Sequence, residues 1–344
     1  MSPPELIVIL AVLAAAAFLT AACIRALHPL LIRYALARPN ARSSHKEPTP
    51  QGAGIAVIAM TLAIAGVAIA WHGNITTALW VLIGATIVIA IVGAVDDIRP
   101  LPVVPRFAMQ ALCILAILAV LPSGLQIAPS IPLWLERAIL LLAALWFVNL
   151  TNFMDGLDWI TVAEVVPVTA ALAIVGTVGV LPLPTALLAA ALCGAMIGFA
   201  PFNKPVAKMF LGDVGSLPIC LLLAWCFLQL AYAGYLAAAI LLPLYYLADA
   251  TVTLLRRLAR REAFWLAHRS HFYQRATDNG FTVIRVVTNV FALNIGLAIL
   301  AGLSITMKSM SVDLVLLAVG GAAVALLLHR FATSHRPADQ CGSI

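Results

Sequence analysis

Four polar side chains, Asn149, Asn152, Asp155 and Asp158, fall within ten residues of a very apolar chain, in the stretch Asn149-Leu-Thr-Asn152-Phe-Met-Asp155-Gly156-Leu-Asp158. Carboxylates and carboxamides are hard oxygen donors, the set that suits a divalent cation or a polar ligand. The spacing of three predicts that, in a helix, neighbouring members share a face one turn apart. Polar groups in so apolar a setting are costly to keep and mark function.

Other chemistry-bearing residues recur in compact groups. Asp96 and Asp97 are adjacent at the end of an apolar run, where one of them is a candidate base, and Arg106 and Gln110 follow. Phe210-Leu-Gly212-Asp213-Val-Gly215-Ser216 sets one acid between glycines that free the backbone, so Asp213 can reach a divalent ion and Ser216 a phosphate oxygen. His268-Arg269-Ser270-His271 places three donors within four residues, enough to grip a diphosphate. Lys46 lies in a Pro- and Gly-framed loop, Arg42 to Gly54, as a point charge for a phosphate or a uracil-type carbonyl. Asp249 has Thr253 and Arg257 at four-residue steps, so it either pairs with an arginine or lines the cavity; Glu164 is similarly open.

The elements that must position these residues follow from composition. Of 344 residues 63% are hydrophobic and only 10% charged, which makes the chain an all-α polytopic membrane protein. Apolar windows place about eleven transmembrane helices, near 5–26, 53–71, 76–94, 107–121, 133–150, 160–181, 185–202, 215–233, 235–254, 284–306 and 312–330. Loops then alternate sides, and eighteen of the twenty Lys and Arg residues fall on the side that also carries the motifs. That bias predicts a cytoplasmic active face, with the N-terminus outside and the C-terminus cytoplasmic. Leu6 to Ala22 reads as a retained first span and not a signal peptide, because no cation precedes it. Five of the six cysteines sit in apolar runs without a Cys-x-x-Cys pair, which argues for core thiols and against a zinc or disulfide framework. The net charge of +6 is explained by the loop bias; no basic stretch interleaved with aromatics points to nucleic acid. With no repeats or linkers, residues 1–344 read as one integral domain, and the small-residue spans are compatible with a homodimer.

Acids beside phosphate-gripping cations, without a P-loop, imply Mg²⁺-dependent phosphoryl chemistry at a membrane surface. The five motifs, in order from Arg42 to Arg275, resemble the polyprenyl-phosphate N-acetylhexosamine-1-phosphate transferases, and especially the bacterial enzymes that initiate O-antigen and other surface polysaccharides. The resemblance implies transfer of a sugar-1-phosphate from a UDP-N-acetylhexosamine to undecaprenyl phosphate in the bacterial inner membrane, with UMP released. It also implies Mg²⁺, with Mn²⁺ as a substitute, held by Asp213 and, in some members, Asn152. Asp96 and Asp97 match the acids that deprotonate or position the lipid phosphate, with Asp97 the expected base. Asp155 and Asp158 match acids near the nucleotide, Phe210 an aromatic on uracil, Lys46 a nucleotide-contacting lysine, and His268, Arg269 and His271 the loop on the diphosphate or sugar. The chain departs from the family pattern at Trp159, where a Gly is common, and at Ala53, Gln51 and Pro105. The alternatives are a phospho-MurNAc-pentapeptide translocase and, from another class, an ion-coupled transporter or lipid-binding protein, for which inverted repeats and mid-membrane charges are missing.

Overall fold

The computed structural model describes residues 3–37, 48–73, 75–262 and 268–333; Lys46 lies outside them. Among the described residues there are thirteen helices and one two-stranded ribbon. The helices are α1 (Pro3–Tyr34), α2 (Gly54–Trp71), α3 (Thr77–Ile98), α4 (Val103–Ala119), α5 (Leu133–Met154), α6 (Ile160–Thr177), α7 (Leu183–Phe199), α8 (Asp213–Tyr232), α9 (Leu236–Leu241), α10 (Leu244–Ala259), α11 (Phe272–Asp278), α12 (Val283–Met307) and α13 (Met310–Ala332). The ribbon pairs β1 (Leu36–Ala37) with β2 (Thr49–Pro50), antiparallel.

Eight of these helices are long and apolar enough to cross a membrane; α4 and α7 are apolar but shorter. The expected single span at 235–254 is instead two helices, because Pro243 brings no N–H and a ring that collides with the preceding turn. Pro105, by contrast, falls in the first turn of α4, where no intrahelical bond is lost, so Arg106 keeps its place on the helix.

Helix α8 is the axis of the bundle: its most apolar window is 83% buried, against 28% for α1 and 22% for α13, which face outwards. It packs on α2, α3, α5 and α9. The two ends of the bundle differ. At one end α2 stops and α3 and α5 start, and Trp71, Trp80 and Trp134 are exposed there at 87%, 61% and 71%, a belt of the kind found at membrane–water interfaces. The 122–132 connection at that end is pinned by Glu136, which accepts the N–H groups of Ile127 and Ala128, and by Arg137, which donates to Tyr232 and to the carbonyls of Pro122 and Leu125. The opposite end carries the motifs.

Candidate active site

The first turn of α8 is the centre of that end. Gly212 has φ +77°, and a Cβ there would strike the Asp97 carboxylate. Asp97 Oδ1 and Oδ2 accept the backbone N–H groups of Asp213 at 2.9 Å and Val214 at 3.1 Å. These are orphan donors of a helix start, so an acid from α3 caps α8 and meets its positive end. Gly93, one turn earlier on α3, lies against the Asp213 carbonyl, where any side chain would collide.

Held this way, Asp213 gathers other side chains. Asn152 Nδ2 donates to Asp213 Oδ1 at 2.5 Å, and the Asp96 carboxyl lies beside that of Asp213. Arg106 Nη1 lies 2.5 Å from Asp96 Oδ2 and 3.7 Å from Asp213 Oδ2. The first and fourth motifs join through backbone: Phe210 N–H donates to Pro50, Gly52 and Ala53 donate to Phe210, and Gly54 donates to Leu211. Ala53 has φ −56°, ordinary helical backbone, so the missing glycine costs nothing there. Gln51 donates from Nε2 to the Asp97 carbonyl at 2.8 Å. Ser216 is placed in the first turn of α8 with its hydroxyl buried and unpartnered, and Phe210 is half-buried.

The expected helical ladder from Asn149 to Asp158 holds only for its first half. Helix α5 ends at Met154, Asp155 is its C-cap with φ −86° and ψ 53°, and Asp158 lies in the following turn. Thr161 donates to Asp155 Oδ1 at 2.5 Å. Burial pushes the Asp155 carboxyl up to about 6, the Thr161 bond opposes this, and the charges of Asp158 and Asp97 add to it. Asp158 Oδ2 accepts the Ala207 N–H at 3.0 Å and so fixes the 203–209 loop. Trp159 adopts φ +65°, which explains why a glycine suits this position. Its strained backbone is held by Asn203, which accepts its N–H at 2.7 Å, and its indole N–H donates to the Ala200 carbonyl at 2.6 Å.

The fifth motif folds as a separate unit. Asp249, 0% exposed, accepts the N–H groups of Phe272 at 3.0 Å and Tyr273 at 3.1 Å, together with the hydroxyls of Tyr245 and Thr253. It therefore neither pairs with an arginine nor lines a cavity; it caps α11. His271 Nδ1 lies 3.4 Å from Asp249 Oδ1, and the His268, His271 and Tyr273 rings stack in series with centroids 4.9 and 5.8 Å apart. Arg269 binds Thr277 and Asp278. Tyr273 joins this unit to the third motif: its hydroxyl donates to the Phe153 carbonyl at 3.1 Å and occupies the space above Gly156 where a Cβ would sit. Thus Asp96, Asp97, Asn152 and Asp213 converge directly, Asp155, Asp158 and Phe210 frame them, and His268, Arg269, His271 and Asp249 attach through α11.

Arg106, Gln51 and Tyr273 carry much of this architecture although their types alone do not single them out. Arg106, ten residues from Asp96, had the one readable signal, a cation that follows the paired acids at the start of the next apolar run. Deeper in the bundle, and reaching Ile127 and Leu236 towards the opposite end, an apolar cavity of about 270 Å³ opens between α4, α5, α8, α9 and α10, lined by residues including Ile114, Trp146, Phe147, Trp225 and Leu228.

The sequence model of glycosyl transferase family 4 matches residues 79–231. The decaprenyl-phosphate N-acetylglucosaminephosphotransferase of Mycobacterium tuberculosis (strain CDC 1551 / Oshkosh) is 30% identical over 293 residues, 75% of this chain and 72% of the relative. The chain belongs to this family. Other family relatives are a probable undecaprenyl-phosphate N-acetylglucosaminyl 1-phosphate transferase of Bacillus subtilis (strain 168), 26% identical over 76% of each chain, and a phospho-N-acetylmuramoyl-pentapeptide-transferase of Leuconostoc mesenteroides, 30% identical over 53% of this chain and 61% of the relative. Family membership makes the chain a phosphotransferase-type membrane enzyme, and the acids at the start of α8 fall inside the matched region.

Proposed function

We propose that the protein transfers an N-acetylhexosamine-1-phosphate from a UDP-sugar to undecaprenyl phosphate at the cytoplasmic face of the bacterial inner membrane, as a first membrane step in surface-polysaccharide assembly. The observation that carries this reading is the meeting of Asp96, Asp213, Asn152 and Arg106 at the ends of α3, α4, α5 and α8, with an apolar cavity deeper along α4, α5 and α8: a phosphate site on the same helices as room for a hydrocarbon chain. The lipid phosphate oxygen forms a bond to the sugar-bearing phosphorus while the bond from that phosphorus to the UMP oxygen breaks, and UMP leaves with the electron pair. A phosphate monoester, with a second pKa of about 6, is largely ionised at neutral pH. It needs positioning more than proton removal, which agrees with Asp97 being engaged in holding α8.

Among the described residues no three His, Cys, Asp or Glu side chains gather as a metal cluster. Asp96 and Asp213 nevertheless share the guanidinium of Arg106, and Asp97, bound to the Asp213 N–H, adds a third carboxyl group beside them; this surplus of hard-oxygen donors fits a divalent ion. Asp213 and Asp96, with the carboxamide oxygen of Asn152, would hold Mg²⁺ or Mn²⁺, which neutralises diphosphate charge when bound. Arg106 serves the lipid phosphate, and His268 and His271 face the donor. The test is UMP release by purified protein given undecaprenyl phosphate, Mg²⁺ and a panel of UDP-N-acetylhexosamines, with UDP-GlcNAc first and UDP-MurNAc-pentapeptide included. UMP formed with one donor, lost with EDTA, is the expected result; no UMP with any donor refutes the reading.

A further inference from the structure

One turn deeper than the acid cluster, a second polar pair sits inside the spans. Asn149 Nδ2 donates to Gln110 Oε1 at 2.8 Å and to the Leu145 carbonyl at 2.8 Å; the two residues are 2% and 0% exposed. A backbone carbonyl only accepts, so the Leu145 contact fixes which end of the Asn149 amide is nitrogen. That nitrogen in turn requires Gln110 to present its oxygen. The consequence is that Gln110 Nε2, with two N–H groups, is buried and has no partner, a costly condition unless something outside the chain completes it.

Its position says what that partner is. Arg106, Gln110 and Ile114 follow at four-residue steps on α4 and share a face; Asn152, Asn149 and Trp146 follow at three-residue steps on α5. The first rung of this double ladder is the phosphate site, with Arg106 and Asn152 both on Asp213. The third rung, Ile114 and Trp146, lines the apolar cavity. Gln110 and Asn149 are the rung between, where a phosphate ends and a hydrocarbon begins. We propose that Gln110 Nε2 binds the acceptor lipid there, donating to the phosphoester oxygen that joins head to chain, and that Asn149 is the positioning residue that, by taking the Gln110 oxygen, leaves those N–H groups for the lipid. This rests on the transferase reading above, and it adds a contact made to the acceptor alone.

The experiment compares undecaprenyl phosphate with undecaprenol on the full chain, by quenching of tryptophan fluorescence, to which Trp146 in the cavity contributes, alongside steady-state kinetics. Gln110→Met removes both N–H groups at similar length in an apolar setting; Gln110→Lys restores a donor. We expect Gln110→Met to weaken undecaprenyl phosphate binding about tenfold, leave undecaprenol binding unchanged, and raise KM for the lipid phosphate without changing KM for the UDP-sugar. Gln110→Lys should recover the preference for the phosphorylated lipid. Equal losses for both lipids in Gln110→Met, or no loss for either, overturns the proposal. Binding of neither lipid by the unmodified protein overturns the transferase reading with it, and so separates the two failures.

Discussion

Asp97 and Asp249 each reach from one helix to accept two backbone N–H groups at the start of another, yet the helices they hold are unlike. Helix α8 has 20 residues and is packed on nearly every side; α11 has seven. A seven-residue helix is far below the length that persists by itself. Burial therefore keeps α8 folded whatever happens at residue 97, and Asp97 only sets the direction in which its first residue, Asp213, is offered. Helix α11, although Phe272, Tyr273 and Ala276 are buried, is short enough that Asp249 contributes to its folding as well as its direction. One device serves alignment in one place and folding in the other.

The largest effect should come from the group that Asp97 presents: Asp213→Asn is expected to lower kcat for UMP release by about a thousandfold, with the melting temperature nearly unchanged. Next, Asp97→Asn keeps one acceptor but turns an N–H₂ towards a helix N–H. It should cost about a hundredfold in kcat, again with little change in melting temperature. Asp249→Asn should instead raise hydrogen exchange across 272–278 while leaving 213–220 protected. A matching loss of protection in α8 with Asp97→Asn would mean that both acids serve folding alike.

A smaller effect concerns pH. Because burial lifts Asp155 from 3.8 to about 6, the fold keeps its proton where the unfolded chain has lost it. The stability from this group is full below about pH 4 and is lost as pH rises through about 6, where the fold must hold a buried charge. The melting temperature of Asp155→Asn, measured without metal, should therefore gain on the unmodified protein between about pH 4 and pH 6 and stay level above. The smallest effect on turnover is expected at Trp159→Gly, although it costs stability. Relief of left-handed backbone, about 1 kcal/mol, is outweighed by the lost indole hydrogen bond, about 1 kcal/mol, together with the lost packing of the half-buried indole against the core, so the melting temperature should fall while kcat changes little.

The membrane class and the acid-bearing loops were legible because apolar run length and polar interruptions are local properties of sequence. Eight of the expected spans appear as long helices, but Pro243, visible in the sequence, breaks the ninth. The site acids were legible as chemistry and not as architecture. Asp97 as a cap could not be read, since its partners lie 116 and 117 residues away, and a side chain's partner at that range depends on packing. Helix α11 is too short to show a periodicity. The helical spacing of Asn152, Asp155 and Asp158 misled because the chain turns at Gly156, where Tyr273 needs the room. Trp159 was legible as unusual, and its φ of +65° supplies the reason.

The exposed tryptophans at the far end have a bearing on all of this. Trp71, Trp80 and Trp134 hold one rim of the bundle at the headgroup level of its leaflet, so the opposite rim rides at a height set by the length of the helices between. Bilayer thickness then decides how deep the reacting end sits among the lipid phosphates of the other leaflet. The length of the bundle thus couples the thickness of the bilayer to the depth at which the acids sit.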